Sequence, residues 1–355
     1  MKERFSEINN LNGKRILFLA PHFFGYEKAI ANRLRELGAE VDFYNERPSD
    51  SVWAKGMVRV KSSFYQNTIK RYYEKILRQI SGKKYDYFLL IKGETVPHLF
   101  LEKLSELSPL TVRIFCSYDP VFEYPGVPEL YPYFNKVFTF EPSDARKYGL
   151  HFRPNFFLNE YKRSEIPEKP KYDIAFIGSA HTDRYLVGEK IRSFAQKLNL
   201  KTFFYYYAPG RAAFVLKKIF DKNLEQFNMQ KLSFKKLTHH QIAEIYSSSF
   251  SVLEINKPFQ LGLTMRPFET LAAGKKLITT NADIKNYPFY SAENILILDR
   301  KNVDIDEEFF KSGFKDIDSD TLEMMTLDSW IHCVFFQDQD DYWGLNSRNF
   351  EEIFK

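Results

Sequence analysis

The chain has 355 residues, 44% of them hydrophobic and 17% aromatic, with a formal net charge of +5. That length exceeds one small core and predicts two domains of about 150 residues each. The charge suits an anionic substrate or an anionic membrane surface, and is too weak and too scattered to indicate nucleic acid. Cys116 and Cys333 stand far apart with no CxxC, which predicts reduced thiols in a cytoplasmic protein. No run of about 18 apolar residues occurs, so no transmembrane helix is expected. The opening MKERFSEINN lacks an apolar stretch, so no signal peptide is expected either.

The first half alternates strand and helix patterns. KRILFLAP (14–21) is a continuous apolar run ended by Pro21, as in a buried parallel strand. YEKAIANRLRELG (26–38) follows with Ala29, Ile30, Leu34 and Leu37 on one face and Gly38 as a C-terminal cap. EVDFYNE (40–46) completes a βαβ unit. A basic amphipathic helix over 63–82 comes next, then strands at 85–93, 111–120 and 136–142, with Ser143 and Asp144 capping a short helix. Residues 154–172 are polar, charged and Pro-containing and read as a linker. A second alternating set starts with the strand YDIAFIGS (172–179), a helix and the strand KTFFYYY. It continues through a helix capped by Thr238, the strand FSVLEIN (250–256), the helix RPFETLAAG and the strands KLITTN and NILIL. The tail from about 320 is a Trp- and Phe-rich helical segment.

The predicted fold is therefore α/β, with two Rossmann-like doubly wound domains facing across a cleft and the C-terminal helix packing back on the first. The domains are expected at 1–158 and 172–318, with a linker at 159–171 and a helical tail at 319–355. In such sheets ligands bind beyond the carboxyl ends of the strands.

Three groups of residues fall at those ends. In LGLTMRPFETLAAG (261–274), a helix N-terminus offers free N–H groups and a positive dipole end. Arg266 can fork onto a diphosphate there, and Glu269, one turn on, can accept hydrogen bonds from a ribose diol. Glu269 equally fits an ordinary first-turn acid, with Arg266 its surface partner. In YDIAFIGSAHTDR, Gly178 lets backbone approach a phosphate, Ser179 adds a hydroxyl and Arg184 follows; a tight strand-to-helix turn explains the same pattern. In the first domain His22, Lys92-Gly93-Glu94 and Asp119-Pro120 follow three strands, and an imidazole or carboxylate there can deprotonate an acceptor hydroxyl. Turn and cap roles explain each of these singly. His239 and His240 are adjacent on a helix, pointing about 100° apart, so they do not chelate together, and no metal ligand set is expected. Residues 69–84 and 210–223 mix Lys and Arg with aromatic and aliphatic residues, as a helix on an anionic bilayer would, or as a helix with a solvated basic face.

The layout resembles the GT-B glycosyltransferases, and the second half is similar to CgeB-like and group 1 bacterial sugar-nucleotide transferases. The resemblance runs over roughly 172–300 through Phe176-Ile177-Gly178-Ser179, Ile255-Asn256, Gly262, Arg266-Pro267-Phe268-Glu269 and Ala273-Gly274. It implies a nucleotide-sugar site of Gly178, Ser179, Arg184, Asn256, Gly262, Arg266 and Glu269, with Glu269 on the ribose and Arg266 on the diphosphate. The large retaining family carries a first glutamate eight positions before the second; here that position is Leu261, beside Gln260, so the stereochemical outcome does not carry over. The resemblance implies a metal-independent glycosyltransferase without a cofactor, moving a sugar from a nucleoside diphosphate sugar, UDP-linked in the first instance, to a glycan or lipid-linked acceptor of cell-surface polysaccharide. Asp119 is the first candidate for the general base and His22 the second. The expected place is the cytoplasm, at the inner face of the membrane. A silent nucleotide-sugar-binding scaffold, a polyol-phosphate transferase and a sugar-nucleotide epimerase remain as alternatives.

Overall fold

The computed structural model describes residues 6–49, 63–163, 169–337 and 341–345. The chain divides into two compact units, Met1–Pro154 with Leu327–Leu345, and a second built on Asn155–Thr326.

The first unit holds strands β1 (Arg15–Ala20), β2 (Glu40–Asn45), β3 (Tyr87–Ile91), β4 (Val112–Ser117), β5 (Lys136–Thr139) and β6 (His151–Phe152). They form one parallel sheet in the order β2-β1-β3-β4-β5-β6. The reversal of winding, and with it the ligand crevice of such a sheet, lies where β1 meets β3. Helices α1 (Tyr26–Glu36), α2 (Ser63–Ile80), α3 (His98–Leu107) and α4 (Pro142–Tyr148) connect the strands. After α1 the Gly38 N–H reaches Arg35 O and the Ala39 N–H reaches Leu34 O, with Gly38 at φ 87°, a Schellman ending. On α2, Ile69, Tyr73, Ile76 and Ile80 form one buried stripe against Phe100, Leu101 and Leu104 of α3. Its basic residues therefore face solvent. The cap of α4 is Glu141, which accepts from Ser143 N, and not Ser143 or Asp144; the Asp144 carboxylate takes the Val121 N–H at 2.7 Å instead.

The second unit holds β7 (Tyr172–Ser179), β8 (Thr202–Tyr207), β9 (Leu232–Ser233), β10 (Ser249–Glu254), β11 (Lys276–Thr279) and β12 (Ile295–Ile297), all parallel, in the order β12-β11-β10-β7-β8-β9. This is the doubly wound order of dinucleotide-binding sheets, with its switch point where β7 meets β10. Its helices are α5 (Arg184–Lys197), α6 (Arg211–Phe220), α7 (His239–Ser247), α8 (Met265–Ala272) and α9 (Ser319–Met324). Thr238 caps α7 in a reciprocal capping box with Gln241. The expected linker is partly structure: Asn159–Tyr161 form a 3-10 turn with Tyr161 buried, while 164–168 lie outside the described residues. The last helix, α10 (Leu327–Phe336), belongs to the first unit, where Arg33 on α1 holds Asp328 through two hydrogen bonds of 2.6 and 2.7 Å.

Both sheets are α/β with both faces covered, as the continuous apolar strands require. The sequence reading passes over β6, β9 and α3. The two strands have two residues each, below what periodicity can signal.

Candidate functional site

In the second unit the loop from β7 to α5 and the loop from β10 to α8 flank the switch point. Neither helix beginning there has a side-chain cap: Asp183 before α5 and Thr264 before α8 spend their polar atoms elsewhere. Two sets of helix N–H groups are thus left to a ligand or to water. The first loop is tight. Thr182, β-branched, sits at φ 54° with its hydroxyl donating to His181 O at 2.6 Å. Such a backbone is costly and persists where its surroundings over-determine it. Gly178 serves packing, since a Cβ there would lie 2.7 Å from the Phe176 ring.

Arginines gather on this edge. Arg184 is buried at 7% exposure, donating through Nε to Ile255 O at 2.8 Å and through Nη1 to His181 Nε2 at 3.0 Å. Arg266, half-buried in the first turn of α8, donates to Ile177 O and, from Nε, to Tyr246 Oη at 3.1 Å. Its Nη1 carries no hydrogen bond among the described residues. Arg300 reaches both Asp183 oxygens at 2.6 and 2.8 Å, and Asn256 O and Oδ1 at 2.8 and 2.6 Å. Burial first, then Arg266 and Arg300, push the Arg184 guanidinium down to about 10. Burial first, then Arg184, Lys217, Lys257 and Arg266, hold His181 well below the usual imidazole range, so its ring is neutral. Glu254 shares this edge, its carboxylate accepting from Thr279 at 2.7 Å and Thr264 at 3.4 Å; burial would lower Arg266, but Tyr246, Glu254 and Glu269 hold it above its ordinary value.

The other sequence-predicted residues take distinct places. Glu269 lies on α8 with 4% exposure, its carboxylate almost closed to solvent. Asn256 acts as a knot: its amide donates to Gln260 O at 2.8 Å, and its carbonyl accepts from Thr280 and Arg300. Gln260 in turn donates to Gly262 O at 2.7 Å, and Asn281 to Leu261 O at 2.9 Å. These amides lock the loop 257–263. From it Phe259 projects, 91% exposed and at φ 65°, a bulky residue in a left-handed conformation.

In the first unit the groups at the strand ends are paired. Lys92, at φ 84°, lies 2.8 Å from Asp119 Oδ2, beside Glu94 and over the Tyr124 ring. Burial alone would lower Lys92, but Asp119, Tyr124 and Glu94 outweigh it and hold the ammonium charged. Arg47 pairs with Glu94. Glu46, wholly buried, accepts the N–H groups of Gly93 and Thr95 at 3.0 and 2.8 Å, and burial pushes it up to about 6. His22 follows β1. Its Nδ1 is 3.2 Å from Glu27 Oε1, and its ring is 43% exposed. Glu27 is fixed in turn by the N–H groups of Phe23 and Gly25, at 3.0 and 3.1 Å.

Sequence reading misses Glu27, Tyr246, Glu254 and Arg300. Only Glu27 carried a local signal, five residues after His22 and in the first turn of α1. Among the described residues no group of three or more His, Cys, Asp or Glu is placed to hold a metal.

No protein-family model matches the chain, and no curated protein matches it. Among solved structures it is similar to a glycosyltransferase from Rickettsia africae ESF-5, at 13% identity and a TM-score of 0.49 over 97% of this chain and 98% of that one. It is similar to the catalytic domain of starch synthase IV from Arabidopsis thaliana bound to ADP and acarbose, at 10% identity and 0.49 over 97% and 99%. It is also similar to the UDP-GlcNAc 2-epimerase of Methanocaldococcus jannaschii in complex with UDP-GlcNAc and UDP, at 11% identity and 0.47 over 94% and 98%. At these identities and scores the chemistry has to come from the site itself.

Proposed function

We propose that the protein is a glycosyltransferase that holds a nucleoside diphosphate sugar on the second unit and an acceptor hydroxyl on the first. The observation that carries this reading is geometric: Arg184, Arg266 and Arg300 gather at the switch point, and among the described residues neither Arg184 nor Arg266 gives a hydrogen bond to a carboxylate. A diphosphate there is met by Arg266 Nη1 and by the uncapped starts of α5 and α8. The same groups stabilise the charge on the departing diphosphate, so the reading needs no metal. Glu269 is assigned to the ribose diol, and Phe259 offers a planar face for the base.

The base is reassigned. Asp119 is engaged by Lys92, whereas Glu27 is placed to accept from His22 Nδ1, which selects the tautomer whose lone pair is on Nε2. The step is then a single displacement. His22 takes the acceptor proton, the new oxygen–carbon bond forms at the anomeric carbon, and the bond to the diphosphate oxygen breaks with inversion. The acceptor proposed is a glycan or lipid-linked saccharide of cell-surface polysaccharide synthesis, the role that the sequence resemblance implies.

The test is calorimetry with UDP, ADP and GDP, followed by product analysis with radiolabelled UDP-sugars and a CDP-polyol in buffer with and without EDTA. Expected are binding of one nucleoside diphosphate and EDTA-resistant transfer with an inverted anomeric centre. Binding without turnover on any donor leaves a scaffold instead, and absence of binding overturns the reading.

A further inference from the structure

The two basic amphipathic helices differ in what their apolar residues do. On α2 the buried stripe of Ile69, Tyr73, Ile76 and Ile80 uses the apolar side for the core. On α6 Phe214 is buried as an anchor, while Val215, Leu216 and Ile219 are 46%, 50% and 72% exposed. Phe234, 41% exposed, lies beside the start of α6, because Ala208 N donates to Ser233 O at 2.9 Å. Arg211, Lys217, Lys222, Lys235 and Lys236 are exposed around these side chains, against the acids Asp221 and Glu225. The Asp221 carboxylate is occupied in capping Asn223 at 3.1 Å. Contiguous exposed apolar groups ringed by cations mark a contact surface.

We propose that α6, with Phe234 and Lys235-Lys236, docks onto the surface of an anionic lipid bilayer. The charge pattern selects this occupant. Lysines flank the apolar residues on the same helix, where long stems follow the apolar groups inward while ammonium heads stay with lipid phosphates. Ten residues of helix give a ridge about 15 Å long, enough to lie in the headgroup region. Among the described residues no helix is long and apolar enough to cross a membrane, so the contact is peripheral. The helix follows β8 on the edge that carries the arginines, with Lys217 near enough to His181 to bias its charge. Docking would bring a lipid-linked acceptor to the edge that holds the donor, but the contact itself does not depend on the donor chemistry.

The experiment is co-sedimentation of the full chain with vesicles of phosphatidylcholine alone and of phosphatidylcholine mixed with phosphatidylglycerol. Expected is salt-sensitive binding to the mixed vesicles only. Leu216→Ser with Ile219→Ser should reduce the partition coefficient more than tenfold, and each of Lys217→Gln, Lys222→Gln and Lys235→Gln by about fivefold. Leu110→Ser, at a 94% exposed apolar residue of the first unit, should bind like the parent. Because every altered side chain is exposed, a matching melting temperature keeps folding out of the comparison. No binding by the parent, or equal binding by the Leu216/Ile219 variant, overturns the proposal. So does a parent that dimerises through this face and ignores vesicles.

Discussion

The two sheets present their carboxyl edges very differently. On the first unit Arg47 and Lys92 stand among Glu46, Glu94 and Asp119, and the buried cations have carboxylates within contact distance. On the second, Arg184, Arg266 and Arg300 crowd one spot, each giving one hydrogen bond to a backbone carbonyl and the rest to side chains, with Asp183 taken by Arg300. On the first edge Arg47 and Lys92 each have a carboxylate partner, while on the second, among the described residues, Arg184 and Arg266 give no hydrogen bond to one, and that difference is why the proposed function puts the anionic part of the substrate there.

The sharpest way to break this division is at His22. His22→Ala should lower kcat by about 10²- to 10⁴-fold while leaving nucleoside diphosphate affinity unchanged, read by steady-state kinetics and calorimetry. Glu27→Gln should give a smaller loss in kcat and move the pH profile, because Glu27 acts through the orientation of the ring. Loss of affinity in His22→Ala would place the anion on the first unit and reverse the comparison.

Next in size is Arg266. Arg266→Gln should weaken binding of a nucleoside diphosphate by about 2–3 kcal/mol, roughly 30- to 150-fold, the range for a hydrogen bond to a charged group. The same variant loses its bond to Tyr246, so Tyr246→Phe separates positioning from contact. Tyr246→Phe should cost less affinity than Arg266→Gln; an equal cost would make the arginine structural.

Much of the architecture is legible in the sequence. Apolar runs such as RILFLA, Gly38 at φ 87° and the Thr238 box are local signals with local causes. The residues that complete the site are not, because their partners are remote in sequence. Arg300 reaches Asp183 across 117 positions, and Arg266 reaches Ile177 across 89. Asn256 read as a ligand but is consumed in the loop's own amide knot, a use that only packing reveals. The same holds for α2 and α6, alike in composition and opposite in burial.

The first unit's buried carboxylate has its own test. Glu46 moves from its ordinary 4.5 to about 6 through burial, offset by Arg47, Lys92 and the Thr95 N–H. Its native pKa is the higher one, so the folded state binds the proton more tightly. Stability is fully present below about 4.5 and falls as pH rises through about 6, by about 2 kcal/mol in all. Glu46→Gln should flatten that part of the melting-temperature profile. A profile with the same slope in the variant would move the buried charge elsewhere.

The smallest effect sharpens the second edge. Phe259 is exposed, held in a left-handed conformation and carried on a loop locked by Gln260 and Asn281, a combination that costs stability and is not offset by any core contact. If it stacks on the base, Phe259→Ala should weaken a nucleoside diphosphate by about tenfold, the lower part of the range for base–aromatic stacking, and leave inorganic pyrophosphate unchanged. Relief of the strained backbone should raise the melting temperature slightly when Phe259→Gly is made instead. Equal losses for both ligands would show that the loop shapes the arginine cluster rather than the base pocket. No loss for either would leave the base to some other face of the second unit, with the diphosphate assignment intact.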